Sequence, residues 1–347
     1  MAEKIRIGII GAGNIAQTAH IPAYLKQNDV ELFAVYDIKE SRAREVAEKF
    51  GFKYAAKSLE ELVGMEELDA VSVCTWNNGH AEAVIASANA GKHILCEKPM
   101  AMTVAEAEAM AEAVRRNQVT FMMGFVNRFR AESKVIKELA DAGKLGEIYY
   151  AKCGIIRRRG APLGWFTDLG KSGGGPVIDI GVHVIDLTWY FMGKPEPVSV
   201  SAVTYSKIGD YKTKGVSRWQ ALDTDDLVFQ TEDSAAALIR FKNGAAMTAD
   251  VSWAINGKER SIYSEIYGTK AGASLDPFCV YAEEEGYLMD SRPVVEAQDM
   301  FYNEIRHFLD CVKEKKEPIA PLEDGTAIQR ILNGIYDSAR LGREVEL

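Results

Sequence analysis

The chain is poor in cysteine and carries no surplus of positive charge. Its 347 residues include 5 cysteines, Cys74, Cys96, Cys153, Cys279 and Cys311, odd in number and with no C-x-x-C pair. A disulfide framework and the common cysteine-rich metal motifs are thereby excluded, and no metal is expected. The thiols read as reduced, small core residues. Asp and Glu outnumber Lys and Arg by 50 to 41, for a formal net charge of -9. General binders of nucleic acid or anionic membrane usually present a basic surface, so neither partner is expected. No apolar run approaches the roughly twenty residues of a membrane span. Met1-Ala2-Glu3-Lys4 leads straight into strand-like Ile5-Arg6-Ile7, without the apolar core of a signal peptide. A cytoplasmic location is the expectation. There is no internal repeat, low-complexity tract or long linker.

The length suggests roughly two domains. Strand and helix alternate at first, with apolar strands over 5–10, 30–36, 70–75, 93–97 and 119–123. Ser58-Leu59-Glu60-Glu61 and Thr103-Val104-Ala105-Glu106 have the form of capping boxes, and Gly51 and Gly91 stand where helices stop. Such alternation implies a parallel, doubly wound α/β sheet covered on both faces. After about Gly124 the pattern changes. A helix over 131–142 and a strand over 147–156 precede a helix over 176–192. Strands follow over 198–205, 227–231, 235–241, 245–253 and 261–267, with Asn243-Gly244 and Asn256-Gly257 as hairpin turns. Helices over 297–315 and 323–341 end the series. The expected division is a dinucleotide-binding Rossmann domain over 1–123 and, over 124–347, an α+β domain with a large, mostly antiparallel open sheet for substrate binding and oligomerisation.

The dinucleotide reading rests on Gly8-Ile9-Ile10-Gly11-Ala12-Gly13-Asn14-Ile15-Ala16, a G-x-G-x-x-A run set between strand and helix. Gly11 permits the tight turn, Gly13 lets backbone approach a pyrophosphate, and Ala16 allows close helix–strand packing. Amides at the helix start, around Asn14 and Ile15, then face the phosphates. Asp37 closes the second strand about 20 residues further on, as the fingerprint requires. A carboxylate there accepts hydrogen bonds from the ribose diol and repels a 2′-phosphate, which favours NAD over NADP. Lys39, Arg42 and Arg44 leave NADP open: they either reach a phosphate or form a solvated helix face.

Two further segments carry chemistry. Glu97-Lys98-Pro99 follows a parallel strand's carboxyl end, where open α/β sheets bind ligands, and the tight exit suggests a cis Lys98–Pro99 bond. Gly173-Gly174-Gly175 precedes a helix that is apolar nearly all round except at Asp179, His183 and Asp186, spaced to form one stripe. Burying two carboxylates and an imidazole is costly unless they are paired or functional. His183 is thus either a core histidine bridging its helix neighbours or an acid/base. The glycines let another backbone or a ligand come close.

With these motifs on one chain, the sequence resembles the glucose–fructose oxidoreductase / inositol dehydrogenase / rhizopine-catabolism (Gfo/Idh/MocA) family along nearly its whole length. Weaker echoes are Gly124-Phe125-Val126-Asn127-Arg128-Phe129, Tyr267-Gly268-Thr269-Lys270 and Ser338-Ala339-Arg340-Leu341-Gly342. The resemblance implies an NAD(P)-dependent dehydrogenase of the CH–OH group of a sugar or cyclitol. Lys98 would lie near nicotinamide and substrate, His183 would be the acid/base, and Asp179 would tune both. Glu97, Thr75, Asn77 and His80 would join the cofactor site. The family often has Thr-Pro-Asn-x-x-His where this chain reads Thr75-Trp76-Asn77-Asn78-Gly79-His80, so Trp76 replaces proline. Arg157 and Trp165, between the new strand and the histidine helix, either cover the pocket or belong to a solvated loop with one anchoring aromatic. Asn127 and Arg128 are open in the same way. Competing readings are a redox-assisted, NAD-dependent glycosidase and a catalytically silent nicotinamide-binding regulator. A homodimer or homotetramer through the second domain's sheet is expected.

Overall fold

Residues 4–216, 218–222 and 228–347 are described by the computed structural model of the chain. They fall into two compact units: residues up to Val126 together with Asp299–Gln329, and Asn127–Gln298 together with Arg330–Leu347.

The first unit is built on strands β1 (Ile5–Ile10), β2 (Val30–Tyr36), β3 (Tyr54–Ala55), β4 (Ala70–Val73), β5 (His93–Glu97) and β6 (Phe121–Gly124). All pairs are parallel, in the order β3-β2-β1-β4-β5-β6. This is the doubly wound dinucleotide-binding order, in which ligands collect at the strands' carboxyl ends beside the β1/β4 switch point. Ile7, Ile9, Val71, Val73, Ile94 and Leu95 have no exposed surface, as helices on both sheet faces require. Thr103 and Glu106 make a complete capping box on the helix Val104–Asn117. Ser58 makes half of one: its hydroxyl accepts from the Glu61 amide at 3.1 Å, but the Glu61 carboxylate turns to the Lys57 amide. The helix Met300–Glu314 belongs to this unit, tied by Arg306 to Asp29 at 2.9 Å. Sequence order alone assigns that stretch to the second domain; the return of the chain is a tertiary fact.

The second unit holds a nine-stranded sheet. Its strands are β7 (Ile148–Ile156), β8 (Pro197–Tyr205), β9 (Ser234–Phe241), β10 (Ala246–Ser252), β11 (Arg260–Gly268), β12 (Ala271–Ser274), β13 (Cys279–Glu284), β14 (Tyr287–Ser291) and β15 (Val345–Glu346). The order is β14-β13-β12-β11-β7-β10-β9-β8-β15, antiparallel except for β7 beside β10. Asn243-Gly244 joins the paired β9 and β10. Asn256-Gly257 does not close a hairpin: β7 lies between β10 and β11 and pairs with both. The expected strand over 227–231 is also overturned. Leu227 lies outside the described residues, and 228–231 is irregular, with the Gln230 amide bonded to the Thr167 carbonyl at 2.9 Å. Among the described residues no helix is long and apolar enough to cross a membrane.

Candidate active site

The phosphate loop begins where β1 ends. Gly11 has φ +92°, and a Cβ there would sit 2.7 Å from the backbone of Cys74 and Thr75, so only glycine fits. A Cβ on Gly13 would meet nothing within 4 Å, which leaves the loop's outer side open for a pyrophosphate. Asn14 is exposed and Ile15 half-buried at the helix start, while Ala16 is fully buried against the sheet. The next turn, Ala16–His20, is a π turn, a rare form that clusters at functional sites. Asp37 is buried; its carboxylate accepts from the Ala12 and Lys39 amides, each at 2.9 Å. Arg42 brings Nη1 to 3.4 Å of both Asp37 oxygens. Arg42 therefore belongs to the carboxylate's surroundings and not to a solvated helix face; Arg44 pairs with Glu40 at the surface. These residues fit NAD: an open loop of amides for the phosphates and a placed carboxylate for the ribose.

The ends of β4 and β5 carry the next group. Trp76 has φ -65° and ψ 159°, a backbone conformation that proline could also hold. Asn77 is buried at the start of a short 3₁₀ turn. His80 brings Nδ1 to 2.7 Å of the Pro99 carbonyl and Nε2 to 3.3 Å of the Thr75 carbonyl, linking the two strand exits. Burial lowers its pKa, and a neutral imidazole donates to only one of these two carbonyls. The Lys98–Pro99 bond is cis, as the strand exit suggested. The Lys98 amide donates to Glu97 Oε2 at 3.1 Å, and Glu97 Oε1 meets His20 Nε2 at 2.8 Å.

In the second unit the functional helix opens with a π turn, Val177–Gly181, and continues as α-helix Val182–Phe191. Glu232 fixes its start. Its buried carboxylate accepts from the Gly175 amide at 2.9 Å, the Val177 amide at 3.1 Å and the Tyr336 hydroxyl at 2.9 Å. Burial raises the Glu232 pKa, and those hydrogen bonds oppose the rise. The glycines are needed for this approach: a Cβ on Gly174 would lie 2.0 Å from the Tyr336 hydroxyl, and one on Gly175 2.3 Å from the Glu232 carbonyl. A protein backbone and side chain, not a ligand, fill that space.

The stripe of Asp179, His183 and Asp186 divides among three sets of partners. Asp179 Oδ2 accepts from the Trp253 indole at 3.1 Å. His183 Nδ1 lies 3.2 Å from the Asn127 amide nitrogen. Asp186 is taken by Arg128, whose Nε donates at 3.1 Å and whose guanidinium lies 4.4 Å from the Tyr190 ring centre. The Arg128 side chain has 0% exposure and faces Asp186. Its charge is committed to a buried ion pair. Asn127 lies beside His183, and both are half-buried. Trp165 stacks on Phe166 with ring centres 4.0 Å apart, and Phe166 packs on the core of Ala161, Ile180 and Trp253. Trp165 is thus continuous with the aromatic layer behind Asp179. Arg157 is exposed and bonds the Gly160 carbonyl.

Three residues that hold the candidate groups, His20 in the first unit and Glu232 and Trp253 in the second, escape sequence reasoning. His20 had a signal: an imidazole amid Ala19, Ile21 and Ala23 on the fingerprint helix must face something polar once buried. Glu232 and Trp253 act across the fold, and their own neighbours in sequence do not mark them. Among the described residues no group of three or more His, Cys, Asp or Glu side chains can hold a metal ion.

A Rossmann sheet with this loop and carboxylate, joined to a mixed sheet carrying a histidine helix, defines an NAD-binding oxidoreductase of two-domain build. The family described as "Oxidoreductase family, NAD-binding Rossmann fold" matches residues 5–125, and its C-terminal alpha/beta domain matches residues 137–347. The chain belongs to this Gfo/Idh/MocA family. It is 36% identical to the D-glucoside 3-dehydrogenase of Escherichia coli K12, over 100% of this chain and 98% of the relative. It is 32% identical to the myo-inositol 2-dehydrogenase of Thermotoga maritima, over 92% of each. The crystal structure of the aldose–aldose oxidoreductase from Caulobacter crescentus superposes with a TM-score of 0.83 at 26% identity, covering 99% of this chain and 100% of that one.

Proposed function

We propose that the protein oxidises a secondary alcohol on a sugar or cyclitol ring, with a D-glucoside as the first substrate to try, and that Lys98, Asp179 and His183 act on one hydroxyl. The observation that carries this reading is the distribution of imidazoles. Of the 5 histidines, four lie in the first unit, with ring nitrogens at Glu97, the Pro99 carbonyl, the Thr120 amide and the Ile319 amide. His183 is the histidine of the second unit, half-buried, two turns along a π-opened helix from the Glu232 cap. An imidazole in such a setting works as a general base near neutral pH. In this reading His183 takes the hydroxyl proton, Lys98 donates a hydrogen bond to the oxygen as negative charge develops there, and Asp179, oriented by the Trp253 indole, aligns the pair. NAD supplies the hydride acceptor. The D-glucoside choice follows the 36% identical relative. The test is a panel of glucosides, free sugars and inositols with NAD: NADH accumulates in proportion to product. A redox-assisted glycosidase would instead cleave the glycoside without net NADH.

Cofactor choice rests on Asp37 in this reading. Asp37→Ser removes the charge that repels a 2′-phosphate and leaves Arg42 beside the ribose. The kcat/KM ratio of NADP to NAD is expected to rise about ten- to a hundredfold, the worth of one charge-assisted hydrogen bond. An unchanged ratio in steady-state assays would remove Asp37 as the determinant.

We further infer a homodimer or homotetramer through the second unit's sheet. Val203 and Tyr205 on β8 and Tyr281 on β13 are exposed, at 45%, 48% and 41%, on the sheet face that also carries Tyr150 and Tyr267. A broad sheet face of this kind serves as an interface between copies. Light scattering at micromolar concentration should give a multiple of 38.3 kDa, and a monomer mass would overturn the inference. A cytoplasmic location accords with five buried, unpaired cysteines.

A further inference from the structure

His20 is fully buried on the fingerprint helix, with Nε2 2.8 Å from Glu97 Oε1 and Nδ1 3.3 Å from the Ser72 hydroxyl. The Ser72 hydroxyl also meets the Tyr24 hydroxyl at 2.8 Å. Glu97 spends its other oxygen on the Lys98 amide at 3.1 Å. One short chain of contacts thus runs from the interior of the sheet to the backbone of the proposed catalytic lysine. Every element packed around the imidazole contributes a group: Tyr24 from its own helix, Ser72 and Cys74 from β4 and its exit, Glu97 from β5, and Phe301 from the helix Met300–Glu314, its ring centre 6.4 Å away. On that last helix Glu304 is also fully buried, and neither of its carboxyl oxygens has a hydrogen-bond partner.

Two carboxyl groups share this interior, and the local chemistry separates them. A buried carboxylate without a counter-charge takes up a proton instead. Glu304 does so: burial, with the Glu97 charge adding to it, pushes its pKa well above the ordinary range. Glu97 differs because an imidazole faces it. Burial alone would lower the pKa of His20, but the Glu97 carboxylate at 2.8 Å opposes that penalty and the pKa is raised; burial also raises the pKa of the neighbouring Cys74 thiol, which therefore adds no charge near neutral pH. The stable arrangement is therefore a neutral Glu304 beside an imidazolium–carboxylate pair. Sign follows from the raised value. The pair's contribution to stability is complete below the ordinary imidazole pKa and is lost as pH rises through the folded-state value.

We propose that His20 is a positioning residue: as a buried imidazolium it keeps Glu97 ionised and aimed at the Lys98 amide, and so fixes the direction in which the lysine leaves the strand. This rests on the reading of Lys98 given above. Its function is geometric: a carboxylate held by a cation on one oxygen grips an amide more strongly with the other than a neutral acid does, and the rotation of the turn sets where the ammonium points.

The test uses the full-length enzyme with NAD and a substrate found in the panel. His20→Gln keeps a donor but removes the charge. It is expected to lower kcat by about ten- to a hundredfold, the scale of misplacing a catalytic group by an ångström, with KM and NAD affinity within about twofold. Glu97→Gln should lower kcat to a similar extent, and the double variant should be no worse than Glu97→Gln alone, since both break one linkage. Nitrogen-15 NMR of the histidine-labelled wild type at pH 8 should show one ring protonated on both nitrogens, and that signature should vanish in Glu97→Gln. Wild-type kcat in folded His20→Gln, or five neutral rings at pH 8, overturns the proposal. If His20→Gln does not fold, the NMR comparison of wild type with Glu97→Gln decides alone. Failure of the lysine reading is distinguishable: it shows as an active Lys98→Ala, whereas failure of the His20 role shows as an inactive Lys98→Ala beside a fully active His20→Gln.

Discussion

His183→Ala and Lys98→Ala are each expected to lower turnover by about 10²–10⁴-fold, the contribution of one positioned proton-transfer or charge-stabilising group in the proposed reading, with NAD affinity nearly intact. For His183 the reason for the split lies in where the cofactor's recognition sits. Gly11, Gly13 and Asp37 belong to the first unit's loop and second strand, and His183 to a helix of the second unit. An alanine at 183 deletes the imidazole while leaving the helix cap on Glu232 and the Asp179–Trp253 bond unchanged. Fluorescence titration with NAD separates binding from turnover. Full activity in both variants would dispose of the assignment, and a loss of NAD binding in His183→Ala would show a structural cause instead.

Arg128→Ala destabilises the protein by about 3–5 kcal/mol, because removing one member of a buried ion pair leaves the other charge stranded. The partner is Asp186, itself 1% exposed and fixed one turn along the helix from His183. The Tyr190 ring adds a cation–π contact on the guanidinium's face. Arg128→Lys is no rescue, since an ammonium cannot offer both Nε and Nη donors to one carboxylate. Urea unfolding followed at the second unit's tryptophans checks this. A cost under about 1 kcal/mol would mean the pair is solvated, as exposed pairs are. Such a loss of stability, with KM unchanged in whatever folds, is also the outcome that distinguishes a core arginine from a substrate-reading one.

Most of the first unit was readable before any coordinates. Its strands are short apolar runs bounded by Gly, Asp and capping residues, and parallel strands buried on both faces have to look that way. Gly11 and Asp37 were legible because their conformational and chemical demands are local. In the second unit, β12, β13 and β14 escape the pattern because they are short and lie at one end of the sheet: β12 is only Ala-Gly-Ala-Ser, and every residue of β14 is exposed, Tyr287, Leu288 and Met289 included. Without one buried face there is no alternation to read. The misread hairpin at Asn256-Gly257 has a different cause. Turn chemistry reports a local reversal, whereas the insertion of β7 between β10 and β11 is settled by pairing a hundred residues away in the chain. Among the candidate residues, Lys98, Asp179 and His183 stand out in the sequence as polar residues in apolar or strand-end settings. Arg128 stands out equally, and its pairing with Asp186 is not legible there, because a sequence does not tell which way a charge turns.

The return of residues 299–329 to the first unit has a practical side. The Ala101 amide bonds Gln329, the Met123 amide bonds the Ala320 carbonyl, and Gly325 sits where a Cβ would come within 3.0 Å of the Met100 and Met123 side chains. The nucleotide-binding half is therefore not a cassette that ends near position 124. Grafting it onto another catalytic partner would take two splice points, and inserting a foreign domain between 126 and 299 is the recombination this architecture accommodates.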